Sequence, residues 1–402
     1  MKPNFCLLPV EAKLQLEEAA TTAMSKTTRQ LSWSSSKDEE EHQSDEVLRS
    51  WSDMTKDILS LILSGLYVAD RAAFNAVCKE WKLVRAPPNF LSLKQLTSNF
   101  TTSAFFIYQK RNSSTFKLFH SLADQFYEMN IPELKNARIR CSMHGWLLMS
   151  RLSDDRGLFF FDPFTKVKMD IPRSDYRFIA LSFSQPPSSS NWSIVGIFSQ
   201  MSSNTLIVGE ISCGEDVWRN YAFQTRYKLH VSHSSPVLHQ GKYYFLDVSG
   251  HLVRFIPDMT YGDKSLRTLP VNRPRRRFQS SVHQSFMAEV NGQLLSVLVS
   301  SDLRRIHAEK IDASTNRREA VQDLGGLTLY ISHTGTFSQV AATPSMANKI
   351  YLPKFYGESG VFYSLITKKY HSYNGTFSST EPYQLKDLEF GTWIQPNTTC
   401  LY

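Results

Sequence analysis

The chain has 402 residues, 42% apolar and 20% charged, with a formal net charge of +8. Such a composition is expected of a soluble globular protein with room for one large domain and one small one, not of a disordered or membrane protein. No apolar run approaches the ~20 residues that a membrane-spanning helix needs, so no membrane partner is expected.

Residues 1–48 read as a polar, acidic leader. Ser32–Ser36 holds four serines and Lys37–Glu46 six acidic residues, and the first 50 residues carry a charge of −3, leaving +11 for the rest. A segment of that kind buries too little apolar surface to offset its ordering entropy, so it is expected to be mostly disordered. Pro3 and Pro9 interrupt the short apolar start, and Glu11, Glu17 and Glu18 do not suit a transit peptide. The cysteines stand at 6, 78, 141, 213 and 400, odd in number and with no C-x-x-C pair. Neither a disulfide framework nor a zinc site is indicated, and reduced thiols in the cytoplasm and/or nucleus are expected.

Residues 49–90 read as a small helical domain. Ile58, Leu59, Ile62, Leu63 and Leu66 share one helical face, with Gly65 weakening the end of that helix. Asp70 stands where an N-cap belongs, and Phe74, Val77, Cys78 and Trp81 follow at i, i+3, i+4 and i+7. Pro87 and Pro88 forbid continuation. A domain below ~40 residues usually needs a metal, a disulfide or a partner. With no ligand set and no paired cysteines, a partner protein is the physical expectation.

From residue 100 to 396 the chain is strand-rich and repetitive. Polar-glycine turns feed apolar strands at His144-Gly145-Trp146-Leu147-Leu148, Gln240-Gly241-Lys242-Tyr243-Tyr244 and Asn291-Gly292-Gln293-Leu294-Leu295. These glycines are 96 and then 51 residues apart, and another strand begins near the midpoint of the longer interval at Trp192. A further unit starts at Asn348, and Ala104–Lys110 with Thr115–His120 supplies a hairpin before the first. A period near 50 with several strands per unit indicates an all-β, kelch-like β-propeller of about five or six blades. A pair of β-sandwiches is the rival architecture. Aromatic runs such as Leu158-Phe159-Phe160-Phe161 suit blade interfaces, while Trp192, Trp218 and Trp393 lie outside such runs and are weighed as interface anchors.

Trp51-Ser52-Asp53, an aliphatic helix, an Asp-initiated second helix and Val77-Cys78-Lys79-Glu80-Trp81 together resemble a plant F-box. Cys141–Met149, Phe161–Thr165, Ser235–Val237 and Thr392–Asn397 are similar to segments of the plant F-box family with a C-terminal kelch-like domain, the KIB type. The resemblance implies a substrate receptor of an SCF-type ubiquitin ligase, docked on a Skp-type adaptor and through it on cullin and RING subunits. It also implies a target protein, with protein kinases bound by some members. The adaptor-binding set it implies is Trp51, Met54, Thr55, Ile58, Leu59, Ile62, Leu66, Val77, Cys78 and Trp81. Met54-Thr55 departs from the usual Leu-Pro, removing a proline that favours a helix start and weakening the expected adaptor contact.

Catalytic signatures are poor: G-x-S-x-G, G-x-x-x-x-G-K-[ST] and H-E-x-x-H do not occur. Asp154-Asp155 reads as a turn pair with side chains on opposite sides, His144 as a turn histidine bonded to backbone, and His230 and His233 as surface residues. A non-catalytic subunit without cofactor or metal is therefore expected. The alternatives are a propeller scaffold with a degenerate F-box, and a propeller enzyme or sugar-binding protein. Arg273–Arg277 reads as a solvated loop or a nuclear import signal, and nucleic acid is not an expected partner.

Overall fold

The computed structural model describes residues 54–65, 74, 77–84, 104–109, 113–122, 124–200, 203–232, 234–248, 250–257, 264–269, 282–300, 302–388 and 391–396. Two compact units divide the chain, Met1–Phe90 and Leu91–Tyr402. Trp51, Leu66, the leader, Pro87, Pro88 and Arg273–Arg277 lie outside the described residues.

The second unit is a β-propeller of five four-stranded blades and a seven-stranded sixth sheet. The second blade runs Ala137–Met143, Trp146–Arg151, Asp154–Phe161 and Lys168–Asp170, each strand antiparallel to the last. The third, fourth and fifth repeat that meander over Ala180–Gln224, Val237–Leu269 and Val282–Val321. The first blade is built from both ends of the unit. Phe105–Gln109, Thr115–His120 and Gln125–Asn130 supply three strands, and Thr392–Ile394 pairs with the first of them, Trp393 opposite Phe106. The last strand thereby closes the ring.

Period-two alternation explains why the strands read as unbroken apolar runs. Leu147, Met149, Phe159 and Phe161 turn toward the first blade, while Trp146, Leu148, Leu158 and Phe160 turn toward the third. Tyr243 and Phe245 pack on the third blade and Tyr244 and Leu246 on the fifth. Every blade is covered on both faces, so neither face needs polar residues. Trp192 and Trp218 are part of this packing, 5.5 Å from Phe160 and 5.0 Å from Phe178 between ring centroids. Trp393 is fully buried against Phe106 and Tyr330. The three tryptophans are core residues rather than surface anchors.

The glycine motifs sit at the expected turns. His144-Gly145, Gln240-Gly241 and Asn291-Gly292 each have two successive positive φ values, between 49° and 80°. This is the two-residue hairpin geometry whose twist matches that of the flanking strands, and it places Asn or Gly at low steric cost. Two further turns recur between third and fourth strands. Asp162 accepts bonds from the Phe164 and Thr165 amides and the Thr165 hydroxyl, and Asp312 repeats this with Ser314 and Thr315. Asp154-Asp155 differs from expectation: both residues begin a strand instead of forming a turn.

The sixth sheet departs from the repeat. Leu327–Ser332 runs parallel to Lys349–Tyr356, and Gly335–Val340 folds back beside it as an additional edge strand. That hairpin reaches the closing strand Thr392–Ile394 of the first blade and the leading strands of the second and fifth blades. The Ser142 amide donates to the Thr334 carbonyl at 2.6 Å. A Cβ on Gly335 would lie 2.9 Å from the Ser142 carbonyl oxygen, so this approach requires glycine.

Candidate functional site

In the first unit, helix Lys56–Gly65 and the short helix Lys79–Lys82 enclose a small core of Leu59, Ile62, Leu63, Phe74, Trp81 and Val84. Trp81 is 1% exposed and its ring centroid lies 4.6 Å from that of Phe74. Met54, Ile58, Val77 and Cys78 are only half-buried and pack on the rim of this cluster, and Thr55 is exposed. The expected adaptor-binding set thus separates in space. Leu59, Ile62 and Trp81 belong to the core of the unit, whereas Met54, Ile58, Val77 and Cys78 keep apolar surface toward solvent. Leu83, which no spacing argument singled out, is 74% exposed beside them in sequence.

Thr55 precedes the helix and its carbonyl accepts the Leu59 amide at 3.1 Å, which makes it the N-cap rather than the first helical residue. Threonine is among the favoured residues there. The Met54-Thr55 departure therefore leaves the helix start well formed. At the second helix, Cys78 is the N-cap in extended backbone, with no side-chain capping bond.

Small hydroxyls stitch the propeller together near its axis. Ser142 Oγ donates to the Trp393 carbonyl at 3.0 Å, Ser332 Oγ lies 3.1 Å from Thr392 Oγ1, and Ser232 Oγ donates to the Ser285 carbonyl at 3.2 Å. The first two bonds each join two different sheets, the third ties the segment before the fourth blade to the fifth blade, and Ser142, Ser332 and Thr392 are at most 3% exposed. A signal for two of them exists in the sequence: single hydroxyl residues in apolar strands, as in Cys141-Ser142-Met143 and Ile331-Ser332. Beside this belt, Cys141 is fully buried, and burial pushes its thiol up to about 12. At the axis, between the edge hairpin and the second, fourth and fifth blades, lies a cavity of about 330 Å³. Met143, Met287, Phe337, Ser235, Glu289 and Ser338 are among its walls.

His144, Asp154 and Asp155 have structural partners. His144 Nε2 lies 3.2 Å from the Ser184 carbonyl, the backbone contact expected of it, and desolvation lowers its pKa. Asp154 pairs with Arg173 at 2.9 Å, while Asp155 accepts from Ser150 Oγ at 3.1 Å and faces the buried Arg140 at 3.7 Å. The two carboxylates thus serve separate partners.

The family model described as the KIB1-4 beta-propeller matches residues 116–374, well over half of the chain. The chain belongs to this family. Its curated relatives include an Arabidopsis thaliana F-box/kelch-repeat protein, 24% identical over 330 residues, covering 80% of this chain and 88% of the relative. An Arabidopsis F-box protein is 26% identical over 281 residues, covering 69% and 71% respectively. Among solved structures, a quinonprotein alcohol dehydrogenase-like protein from Bacteroides thetaiotaomicron matches with a TM-score of 0.37 and 9% identity, covering 74% of this chain and 78% of that one. That likeness is too distant to bear on function. Within the KIB1-4 beta-propeller unit the matched segment begins inside the first blade and ends in the sixth sheet.

Proposed function

We propose that this KIB1-4 family member is the substrate-recognition subunit of an SCF-type ubiquitin ligase, acting in the cytoplasm and/or nucleus. In this reading the helical domain, residues 49–90, docks a Skp-type adaptor, which links it to cullin and RING subunits. The propeller, residues 100–396, holds a target protein. The chain performs no chemistry itself: holding target and ubiquitin-loaded enzyme together raises their effective concentration.

The observation that carries this reading is the pairing of a family propeller with a helical core whose rim keeps Met54, Ile58 and Val77 partly exposed. Relatives that are 24–26% identical over spans covering 69–80% of this chain bear F-box names, which supports the adaptor half. Methionine at the rim adapts its shape to an apolar partner.

The test is capture of a recombinant Skp-type adaptor by the full chain and by a Met54→Asp, Ile58→Asp double variant. Both positions are half-buried, so the variant keeps its core, whereas an aspartate at Leu59 would unfold the helix. Capture by wild type and its loss in the variant are expected, because each aspartate would be buried unpaired at the interface. Equal capture by both, or none by wild type, overturns the proposal and favours a scaffold whose F-box no longer recruits a ligase.

A further inference from the structure

Among the described residues that line the axial cavity, Glu289 is the one charged side chain. Glu289 and Met287 project from one face of the leading strand of the fifth blade, two residues apart, as the strand period requires. Among the described residues the Glu289 carboxylate has one ionic neighbour, His239 Nδ1 at 3.6 Å, which is beyond hydrogen-bond reach. That nitrogen is buried and unpartnered, on a side chain 7% exposed, while the Glu289 side chain is 42% exposed. The carboxylate therefore keeps acceptor positions open to an incoming donor.

The remaining walls match a long side chain that ends in a cation. Met143, Met287 and Phe337 offer two thioethers and a ring for a methylene stem. Ser235 is among the walls, its hydroxyl hydrogen-bonded to the Cys141 thiol, and Ser338 stands next to Glu289, whose carbonyl its hydroxyl reaches at 3.4 Å. The volume suits one side chain and its backbone, not a folded element. An acidic ligand would meet Glu289, and a purely apolar one would desolvate that carboxylate without pairing it.

We propose that this cavity binds a single arginine or lysine side chain, with Glu289 pairing the cation and Met143, Met287 and Phe337 holding its stem. That the side chain comes from a target protein rests on the receptor reading; the chemistry of the cavity does not.

The experiment is a titration of the full chain, methyl-labelled at methionine, with N-acetyl-arginine amide and N-acetyl-lysine amide, using the Met143 and Met287 methyl signals. N-acetyl-norleucine amide and N-acetyl-glutamate amide are the controls. Saturable shifts at both methionines with at least one basic amide are expected. Affinity should fall about tenfold or more in Glu289→Gln, the loss of one charge-assisted bond. No saturable shift, equal binding of norleucine amide, or an unchanged affinity in Glu289→Gln overturns the site. Adaptor capture is measured on the same samples. Titration without capture keeps the cavity and removes the receptor reading, while capture without titration does the reverse.

Discussion

The propeller and the helical unit solve the same burial problem on different scales. In the propeller each strand shares its apolar residues between two neighbours, so Phe159 and Phe160 stabilise different interfaces of one ring. Among the described residues of the helical unit six form a core, and four more lie half-covered at its rim. The larger unit satisfies itself and closes with its own last strand. The smaller one ends its packing at residues that still have apolar surface to offer. A unit of the second kind is suited to docking, because completing its core and binding a partner are one process.

The sharpest way to break this comparison is at the closure of the ring. Trp393→Ala removes a fully buried ring that touches Phe106 and Tyr330 and should cost the propeller ~3–5 kcal/mol, read as a lower denaturant midpoint. A loss below ~1 kcal/mol would mean that closure by Thr392–Ile394 contributes little. Trp81→Ala should cost a comparable ~3–5 kcal/mol but only locally. Hydrogen exchange should then show lost protection over Lys56–Gly65 with the propeller melting unchanged. A shifted propeller transition would show that the two units are energetically coupled.

A smaller effect separates rim from core. Met54→Asp with Ile58→Asp should keep the stability of the helical unit within ~1 kcal/mol of wild type while adaptor capture is lost. Helix loss measured by circular dichroism in the isolated double variant would mean that these residues are core after all. The mildest effect is on pH. Desolvation lowers the folded-state pKa of His144 and His307, and of the more exposed His371. Above ~6.5, the ordinary histidine value, folded and unfolded chains are both neutral at these positions and stability is unaffected. Below it the unfolded chain binds protons that the folded chain resists, so stability falls as pH drops. A melting temperature that rises between pH 7 and pH 5.5 would contradict this assignment.

How much of this was legible beforehand varies with the range of the interaction. The turns at Gly145, Gly241 and Gly292 were, because two-residue hairpins depend on local φ alone. The blade interfaces were half legible: an apolar run such as Leu158–Phe161 signals burial on both faces without naming the neighbours. The edge hairpin at Leu327–Val340 escaped notice, since its strands look like any other pair and only the parallel register with Lys349–Tyr356 distinguishes them. In the candidate sites, helical spacing gathered Ile58, Leu59, Ile62 and Trp81 on apolar faces but did not sort rim from core. That division depends on which side Phe74 and Val84 cover.

The sequence by itself determined the class of each region: a helical period near the start, a strand period of two with glycine turns after it, and family motifs spread along both. These follow from interactions a few residues long, which local chemistry encodes. Only the tertiary structure decided that Thr392–Ile394 closes the first blade, that a hairpin enters the axis, and that Glu289 stands beside Met143 and Phe337. Those neighbours lie tens to hundreds of residues apart, and their meeting is set by ring closure and by the packing of whole sheets.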